Sequence, residues 1–586
     1  MTYAELDRYS AGVAAHLIGL GLARGDYVPL LFDKSIWCIV AMLAVLRAGA
    51  AFVPLSSEYP RDRIAFICTQ VSARVALASE PLAPTIDTIV GMVVVISRDF
   101  GMQVCEDHNV ILPPQDARTV AYIMHTSGST GLPKGAMLEH GSVVVSARNI
   151  ISKTSMKATT RVLHFSNYIF GAAMAEIWSA LIVGGCLCIP SEEQRLSSLD
   201  KFMVDHGVTW ACMTPSLVRM HSPATMPGLK TLAVGGETVT CDILQRWASF
   251  VKLYTVYGSA EQSHIISMEG PLDENANGAS IGRMFSGSNA WVVMPKNVDS
   301  LVPLGCVGEL VTEGPQIARG YLQDPARTST SFPDSFPWRN RFPSSRSGSS
   351  RFYRTGDIVR YTTGGHLEFV SRREGYVKIN GQRVELGEIE YHIRAAAPEA
   401  YQVCVELCIP AGVSAENAVL VAFIAQGDDS GSADRDLYRI IWARLSSALP
   451  LFMVPRYYYP LRTMPKTISG KTARAGLRNL VASLSPEHLV ELAAGRIGLR
   501  HVKSPAERYM QKIWAQILHI PETAILADDT FFNLGGDSRK AVSLYRMLQL
   551  DGHEISVRQI LAEPTLSAMA QKCIIIVTPG APGSRE

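Results

Sequence analysis

Residues 126–135 read Thr-Ser-Gly-Ser-Thr-Gly-Leu-Pro-Lys-Gly, directly after the apolar run 120–124. A strand that runs into glycines and hydroxyls suits a polyphosphate. Gly128 and Gly131 let backbone amides approach an anion and adopt positive φ. Thr126, Ser127, Ser129 and Thr130 offer hydroxyls, and Lys134 a point charge. The kinase-type phosphate loop needs Gly, four residues, then Gly-Lys-Ser/Thr. Pro133 stands where its second glycine belongs, which excludes that motif. A carboxylate near a phosphate loop needs a cation between them. Glu261, in Tyr257-Gly258-Ser259-Ala260-Glu261, supplies oxygens of the kind Mg²⁺ takes. Asp357, closing Tyr353-Arg354-Thr355-Gly356-Asp357, can accept two neighbouring hydroxyls. Lys471, in Ser469-Gly470-Lys471, has the charge to neutralise two anions that meet in a reaction. Ser538, in Asn533-Leu534-Gly535-Gly536-Asp537-Ser538, lies between a glycine turn and a helix start, open to modification; Asp537-Ser538 reads equally as an N-cap.

The elements that must position these groups follow an α/β rhythm. At 586 residues the chain is long enough for about three or four domains. Its 47% hydrophobic and 18% charged residues indicate a well-buried globular protein. A net charge of +2 gives no reason to expect nucleic acid or an anionic membrane as partner. No leader-like start and no apolar run of spanning length is evident, so a cytoplasmic location is expected. The eleven cysteines show no zinc spacing and read as buried free thiols. Residues 3–120 alternate helix and strand patterns, with a first helix ended by Gly25-Asp26, and predict a largely parallel sheet. The rhythm is expected to continue to 330, and the Pro/Ser/Arg-rich stretch 331–350 to be a surface insertion. Residues 372–478 read as a small α+β subdomain, 479–502 as a linker, 503–575 as a helical bundle and 576–586 as a frayed tail.

Taken together, 126–135, 353–357, the run Val377-Lys378-Ile379-Asn380-Gly381-Gln382-Arg383-Val384-Glu385-Leu386-Gly387-Glu388 and 465–471 resemble the signatures of the adenylation domains of nonribosomal peptide synthetases. Residues 533–538 resemble the attachment site of a peptidyl carrier domain. The resemblance implies a large α/β adenylate-forming core over 1–371, a small mobile α+β subdomain and an all-α four-helix carrier. It implies that ATP binds at 126–131, at Gly235, Gly236 and Glu237, at Tyr257 against adenine, at Asp357 on the ribose and at Arg372. It further implies that Lys134, Lys471 and Glu261 act in catalysis with Mg²⁺ on Glu261, that Glu374 is the hinge where the family usually has Asp, and that Ser538 carries 4′-phosphopantetheine. The chain starts inside the family's first signature, Thr2-Tyr3-Ala4-Glu5-Leu6, so a leading segment is expected to be missing.

The resemblance also places a substrate pocket at Gly171, Ala172, Ala175, Cys212, Leu232, Val234, Val256, His264 and Ile265. Where the family has an aspartate for an α-ammonium, this chain has Gly171. A buried carboxylate without a cation is costly, so its loss implies a substrate without an α-ammonium: an anthranilate-like aryl acid first, an α-hydroxy or α-keto acid second. The expected activity is an acid–thiol ligase that forms acyl-AMP and loads its own carrier, served by a phosphopantetheinyl transferase and by a condensation or release domain in trans. An acyl-CoA ligase and a catalytically silent carrier scaffold are the alternatives.

Overall fold

The computed structural model describes residues 1–104, 113–127, 132–342, 351–372, 376–379, 382–397, 401–411, 418–425, 435–466, 472–484, 488–489, 492, 500–518, 520–532, 534, 536 and 538–575. The chain divides into two compact units: Met1–Glu192 with Asp200–Glu385, and Glu193–Leu199 with Leu386–Glu586.

The first unit holds two sheets. The smaller has the order β4-β3-β1-β2-β5-β6, from β1 Tyr27–Leu31, β2 Ala51–Leu55, β3 Val75–Ala78, β4 Met92–Val95, β5 Val120–Thr126 and β6 Lys134–Glu139. Its apolar strands are separated by helices such as Ile36–Arg47 and Arg61–Gln70, which forces crossovers and parallel pairing for β1 to β5. β6 pairs antiparallel with β5. The first helix, Tyr3–Gly19, starts at a Thr2/Glu5 capping box and stops at Gly19. The expected stop at Gly25-Asp26 is therefore late by several residues, because the turn at Leu20–Gly21 already closes the helix.

The larger sheet has twelve strands. β7 Arg161–Leu163, β8 Cys186–Cys188, β9 Trp210–Met213, β10 Thr231–Gly235 and β11 Lys252–Tyr257 pair in parallel, in the order β8-β7-β9-β10-β11. Beyond β11 the sheet is antiparallel, through β12 Ser267–Glu269, β13 Ser280–Met284, β18 Leu367–Arg372, β17 Arg351–Tyr361, β16 Gly308–Gly314, β14 Asn289–Met294 and β15 Asn297–Leu301. The α/β rhythm expected to 330 thus ends near 257. β14 and β15 are joined by Pro295-Lys296 alone, too short for a crossover helix, so they must pair antiparallel.

The expected surface insertion at 331–350 is corrected in its first part. Phe332, Phe336 and Trp338 are buried, and Trp338 packs on Trp291 at 4.8 Å between ring centroids. Arg339 completes the cluster with an ion pair to the buried Glu313. Proline and serine content suggested a loop, but the aromatics between them supply a core.

In the second unit, β19 Gln402–Cys408, β20 Val419–Ala425 and β21 Tyr457–Leu461 form a sheet packed by Leu386–Ala396 and Arg474–Ala482. Four helices, Pro505–Leu518, Ser538–Leu550, Val557–Ala562 and Leu566–Lys572, surround Trp514, Phe531 and Leu544. Their buried faces recur at helical spacing, Met510, Ile513, Trp514 and Ile517 on the first, which is what closes so small a bundle. Cys241 and Cys306 are exposed, unlike the buried thiols expected.

Candidate active site

The segment expected to hold phosphate connects β5 to β6, whose last ladder pair is Thr126 and Lys134. Ser127 Oγ accepts a hydrogen bond from the backbone N–H of Glu385 at 3.2 Å. Gly128, Ser129, Thr130 and Gly131 lie outside the described residues. Lys134 is buried, and its Nζ stands 3.2 Å from Glu261 Oε1. Nζ also donates to Tyr321 Oη at 2.8 Å and lies 4.5 Å from that ring's centre. Tyr321 Oη in turn donates to Glu261 Oε1 at 2.9 Å. Tyr321 thus joins the two charged residues. Its own position gave little signal, since its partners are 187 and 60 residues away.

A second cluster forms at β11, β17 and β18. Tyr257 Oη donates to Asp357 Oδ2 at 2.5 Å, and Arg372 Nε is 3.0 Å from Asp357 Oδ1. Burial pushes the Tyr257 phenol well above its usual range, so it stays a donor. Asp357 and Arg372 are cross-strand partners, which fixes the pair. Gly235 ends β10, Gly236 takes φ +87°, and Glu237 accepts from Ser216 N and Oγ at 3.1 and 2.6 Å. Glu374 lies outside the described residues, and so does Lys471. The segment containing Lys471 is bracketed by a bridge between Lys466 and Thr472 and by Arg474, whose guanidinium pairs with Glu390 and Glu406 at 2.9 and 2.5 Å. Ser538 is the first residue of its helix.

The residues named for the substrate pocket split into two sets. Gly171 is the first residue of the helix Gly171–Ile182, and Ala172, Ala175, Cys212, Val256 and Ile265 belong to one apolar cluster. Burial pushes the Cys212 thiol up, so it stays protonated and acts as a small apolar group. Leu232 and Val234 do not join this cluster. Ala233 pairs with Cys212 and Gly235 with Val256, and in-register parallel neighbours share a face. Leu232 and Val234 therefore face the other side of the sheet, a one-residue slip of the kind that inverts every side chain. Ala233 and Gly235 lie on the face of Cys212 and Val256 instead. A Cβ at Gly235 would fall 2.3 Å from Val256 Cγ2, so a side chain has no room there.

His264 is the polar member of the pocket set. It sits in the left-handed region at φ +81°, costly for a non-glycine residue, directly after Ser263 at φ +50°. Gly258 admits its backbone, since a Cβ there would lie 1.9 Å from His264 O. Gly171 admits its ring: a Cβ at 171 would lie 2.1 Å from His264 Nδ1. Nε2 meets Tyr122 Oη at 2.7 Å, while Nδ1 is buried with no hydrogen-bond partner among the described residues. Burial pushes the imidazolium down to about 3, so the ring is neutral near pH 7. In the sequence Tyr122 is simply one residue of an apolar strand; its partner His264 lies 142 residues away.

Two family models match: the AMP-binding enzymes over residues 1–322, and the phosphopantetheine attachment site over 508–573. The first covers more than half of the chain. The chain belongs to the AMP-binding enzyme family. Among curated relatives, a nonribosomal peptide synthetase of Alternaria alternata, AMT10, is 46% identical over 98% of this chain and 66% of its own length. Nonribosomal peptide synthetase 4 of Gibberella zeae is 38% identical over 98% of this chain and 8% of its own. The chain thus spans two thirds or less of the relatives it matches. A solved synthetase protein containing adenylation and carrier domains, bound to a vinylsulfonamide inhibitor, has the same fold, with TM-score 0.75 at 24% identity over 97% of this chain and 91% of that one. This AMP-binding chain is nonribosomal peptide synthetase-like, an adenylation region followed by a carrier region.

ATP with Mg²⁺ serves the first family, and 4′-phosphopantetheine the second. The residues present fit both groups. No set of three metal-ligating side chains occurs among the described residues. Mg²⁺ asks less of this protein, since one or two carboxylates suffice when phosphates and waters complete its shell. Glu261 offers such a carboxylate, already facing a cation in Lys134. At the carrier, a Cβ on Gly536 would fall 2.2 Å from the Phe531 ring, so Gly536 packs tightly on Phe531, and Ser538 opens a helix whose N-terminus favours an attached phosphate. Among the described residues no helix is long and apolar enough to cross a membrane.

Proposed function

We propose that this chain activates a carboxylic acid as its acyl-adenylate, with release of pyrophosphate, and loads the acyl group onto its own carrier. The observation that carries the reading is the 3.2 Å approach of Lys134, the first residue of β6, to Glu261, in the short helical turn Ala260–Gln262 that follows β11. Lys134 would bind the triphosphate, and Tyr321 would hold Lys134 and Glu261 in register. Asp357 would accept the ribose hydroxyls, with Arg372 and Tyr257 fixing its carboxylate. Lys471 would neutralise the charge that builds as the acid's carboxylate oxygen attacks the α-phosphate and pyrophosphate departs. When bound, Mg²⁺ would offset phosphate charge near Glu261, and the pantetheine thiol on Ser538 would supply the nucleophile that accepts the acyl group.

The substrate is an acid without an α-ammonium. Support comes from Gly171 and from the ring of His264, which fills the space a carboxylate-bearing side chain would need. The pocket is formed by Gly171, Ala172, Ala175, Cys212, Ala233, Gly235, Val256, His264 and Ile265. Both an anthranilate-like aryl acid and an α-hydroxy or α-keto acid satisfy that requirement. The domain reading stays as the sequence suggests it: core to 371, small subdomain to 478, carrier from 503, with Glu374 as hinge. A phosphopantetheinyl transferase would install the arm, and a condensation or release domain would take the product, in the cytoplasm. The test is ATP–pyrophosphate exchange over amino, aryl, hydroxy and keto acids. Exchange confined to acids without an α-ammonium supports the reading. Exchange led by an ordinary α-amino acid contradicts the substrate class, and none with any acid contradicts the activity.

A further inference from the structure

The geometry points to Tyr122 as a specificity-determining positioning residue: by fixing the tautomer of His264, it makes Nδ1–H a donor that reads an oxygen on the carbon beside the substrate's carboxyl group. The inference rests on the adenylation reading above and narrows its substrate to a 2-oxo or 2-hydroxy acid.

Tyr122 Oη and His264 Nε2 are 2.7 Å apart, both buried, and either could donate. A phenol is a strong donor with a weakly accepting oxygen, whereas a bare imidazole nitrogen is a good acceptor. Donation from Tyr122 is therefore favoured, and Nε2 is left without a proton. In a neutral ring the proton then sits on Nδ1, since the bond at one nitrogen sets the state of the other. Tyr122 is not free to turn away. Phe52 stacks on it at 5.0 Å, and the His264 ring lies nearly parallel to it, 12° between planes.

Nδ1–H is consequently a buried donor with no acceptor among the described residues. Such a group costs free energy until a ligand meets it. It lies where a side chain at 171 would begin, at the start of the helix Gly171–Ile182. An acceptor oxygen satisfies it. An ammonium, which has only donors, opposes it. An aryl amine, which is a good donor and a weak acceptor, satisfies it poorly. This is why the ranking moves from anthranilate to the oxygen-bearing acids. The strained backbone at His264 fits the same role, because the surrounding structure fixes the ring at a cost it does not otherwise recover.

The experiment has two arms on the full chain. In the first, ¹⁵N-histidine spectra of wild type are compared with His264→Asn, to assign the signal, and with Tyr122→Phe. The expected result is an Nδ1–H tautomer for His264 that is lost or mixed in Tyr122→Phe; an Nε2–H tautomer in wild type overturns the proposal. In the second, pyrophosphate exchange is measured with a 2-oxo acid, a 2-hydroxy acid and the unsubstituted acid of one skeleton, and with anthranilate against benzoate. Wild type should prefer an oxygen-bearing acid by about 10–100-fold in kcat/KM, the usual penalty for leaving a buried donor unmet. Tyr122→Phe should bring that ratio to within about threefold, whereas His264→Asn, which keeps an N–H near the Nδ1 position, should retain part of it. A preference for anthranilate over benzoate without a 2-oxo or 2-hydroxy preference overturns the proposal while leaving the adenylation reading intact. No exchange with any acid counts against that reading instead, and the spectra still decide the tautomer.

Discussion

Gly171→Ala is the smallest change that reaches the centre of the pocket, and two effects of opposite sign compete in it. Gly171 opens a helix, and alanine is the better helix former by at most about 1 kcal/mol. Against that, the new methyl would sit 2.1 Å from His264 Nδ1, 2.5 Å from Cγ and 2.7 Å from Cβ, where ordinary contact begins near 3.4 Å. The ring would have to retreat by more than 1 Å. Its far side is bonded to Tyr122, which is stacked on Phe52, and its backbone is held at φ +81°. Overpacking of this kind costs about 1–3 kcal/mol, so the clash outweighs the helix gain. A shift of about 1 Å in a positioning group costs on the order of 100-fold in rate. Pyrophosphate exchange with the preferred acid should therefore fall by about that factor, with stability in urea falling slightly. Gly171→Ala/His264→Ala should be less destabilised than the two single changes added together, because the second removes the obstacle to the first. Strict additivity, or full activity in Gly171→Ala, would refute the packing argument. The same geometry means that Gly171→Asp cannot create an ammonium site unless His264 is also made small.

Other outcomes follow from the named contacts. Tyr321→Phe removes the hydroxyl joining Lys134 and Glu261 and should lower kcat of exchange by roughly 10-fold, as expected for a lost positioning bond of 1–1.5 kcal/mol; steady-state kinetics check this. Asp357→Asn leaves Arg372 without its carboxylate and should raise the KM for ATP far more than the KM for the acid, as measured in the same assay. Lys471→Ala should reduce exchange by about 10²–10³-fold while sparing ATP binding measured by calorimetry, because its charge is needed only as the bond forms. In the carrier, Arg500 and the N–H groups of Ser504 and Lys503 hold the Glu507 carboxyl down to about 2. A depressed pKa gives stability that is present above the unfolded value near 4.5 and lost as pH falls toward 2. Glu507→Gln should therefore flatten the carrier's melting temperature between pH 5 and 2.5, which calorimetry of wild type and variant reads.

What was legible in the sequence was what is local. Residues 126–135, 353–357 and 533–538 each carry their chemistry in one short string, and the helix–strand alternation before β6 fixes parallel pairing through connection length. Contacts across long separations were not legible. Nothing near Tyr321 announces Glu261, and nothing near Tyr122 announces His264. The slip from Ala233 and Gly235 to Leu232 and Val234 has the same origin: all of these positions are apolar or small, so composition does not say which face is which, and only the register with Cys212 and Val256 does. The aromatic cluster at 332–338 was hidden because prolines and serines dominate the stretch, although three large rings are enough to make a core.

The central claim is that activation and loading occur on one chain, and intact-protein mass spectrometry tests it most directly. The chain is first treated with a phosphopantetheinyl transferase and CoA, then with MgATP and a panel of acids. The account predicts a gain equal to the phosphopantetheine arm, then a further gain equal to one acyl group from a 2-oxo or 2-hydroxy acid that requires ATP. Neither gain should occur in Ser538→Ala, which should still exchange pyrophosphate. An arm on Ser538→Ala, or a holo chain that exchanges pyrophosphate with an acid yet never takes up its acyl group, would contradict it.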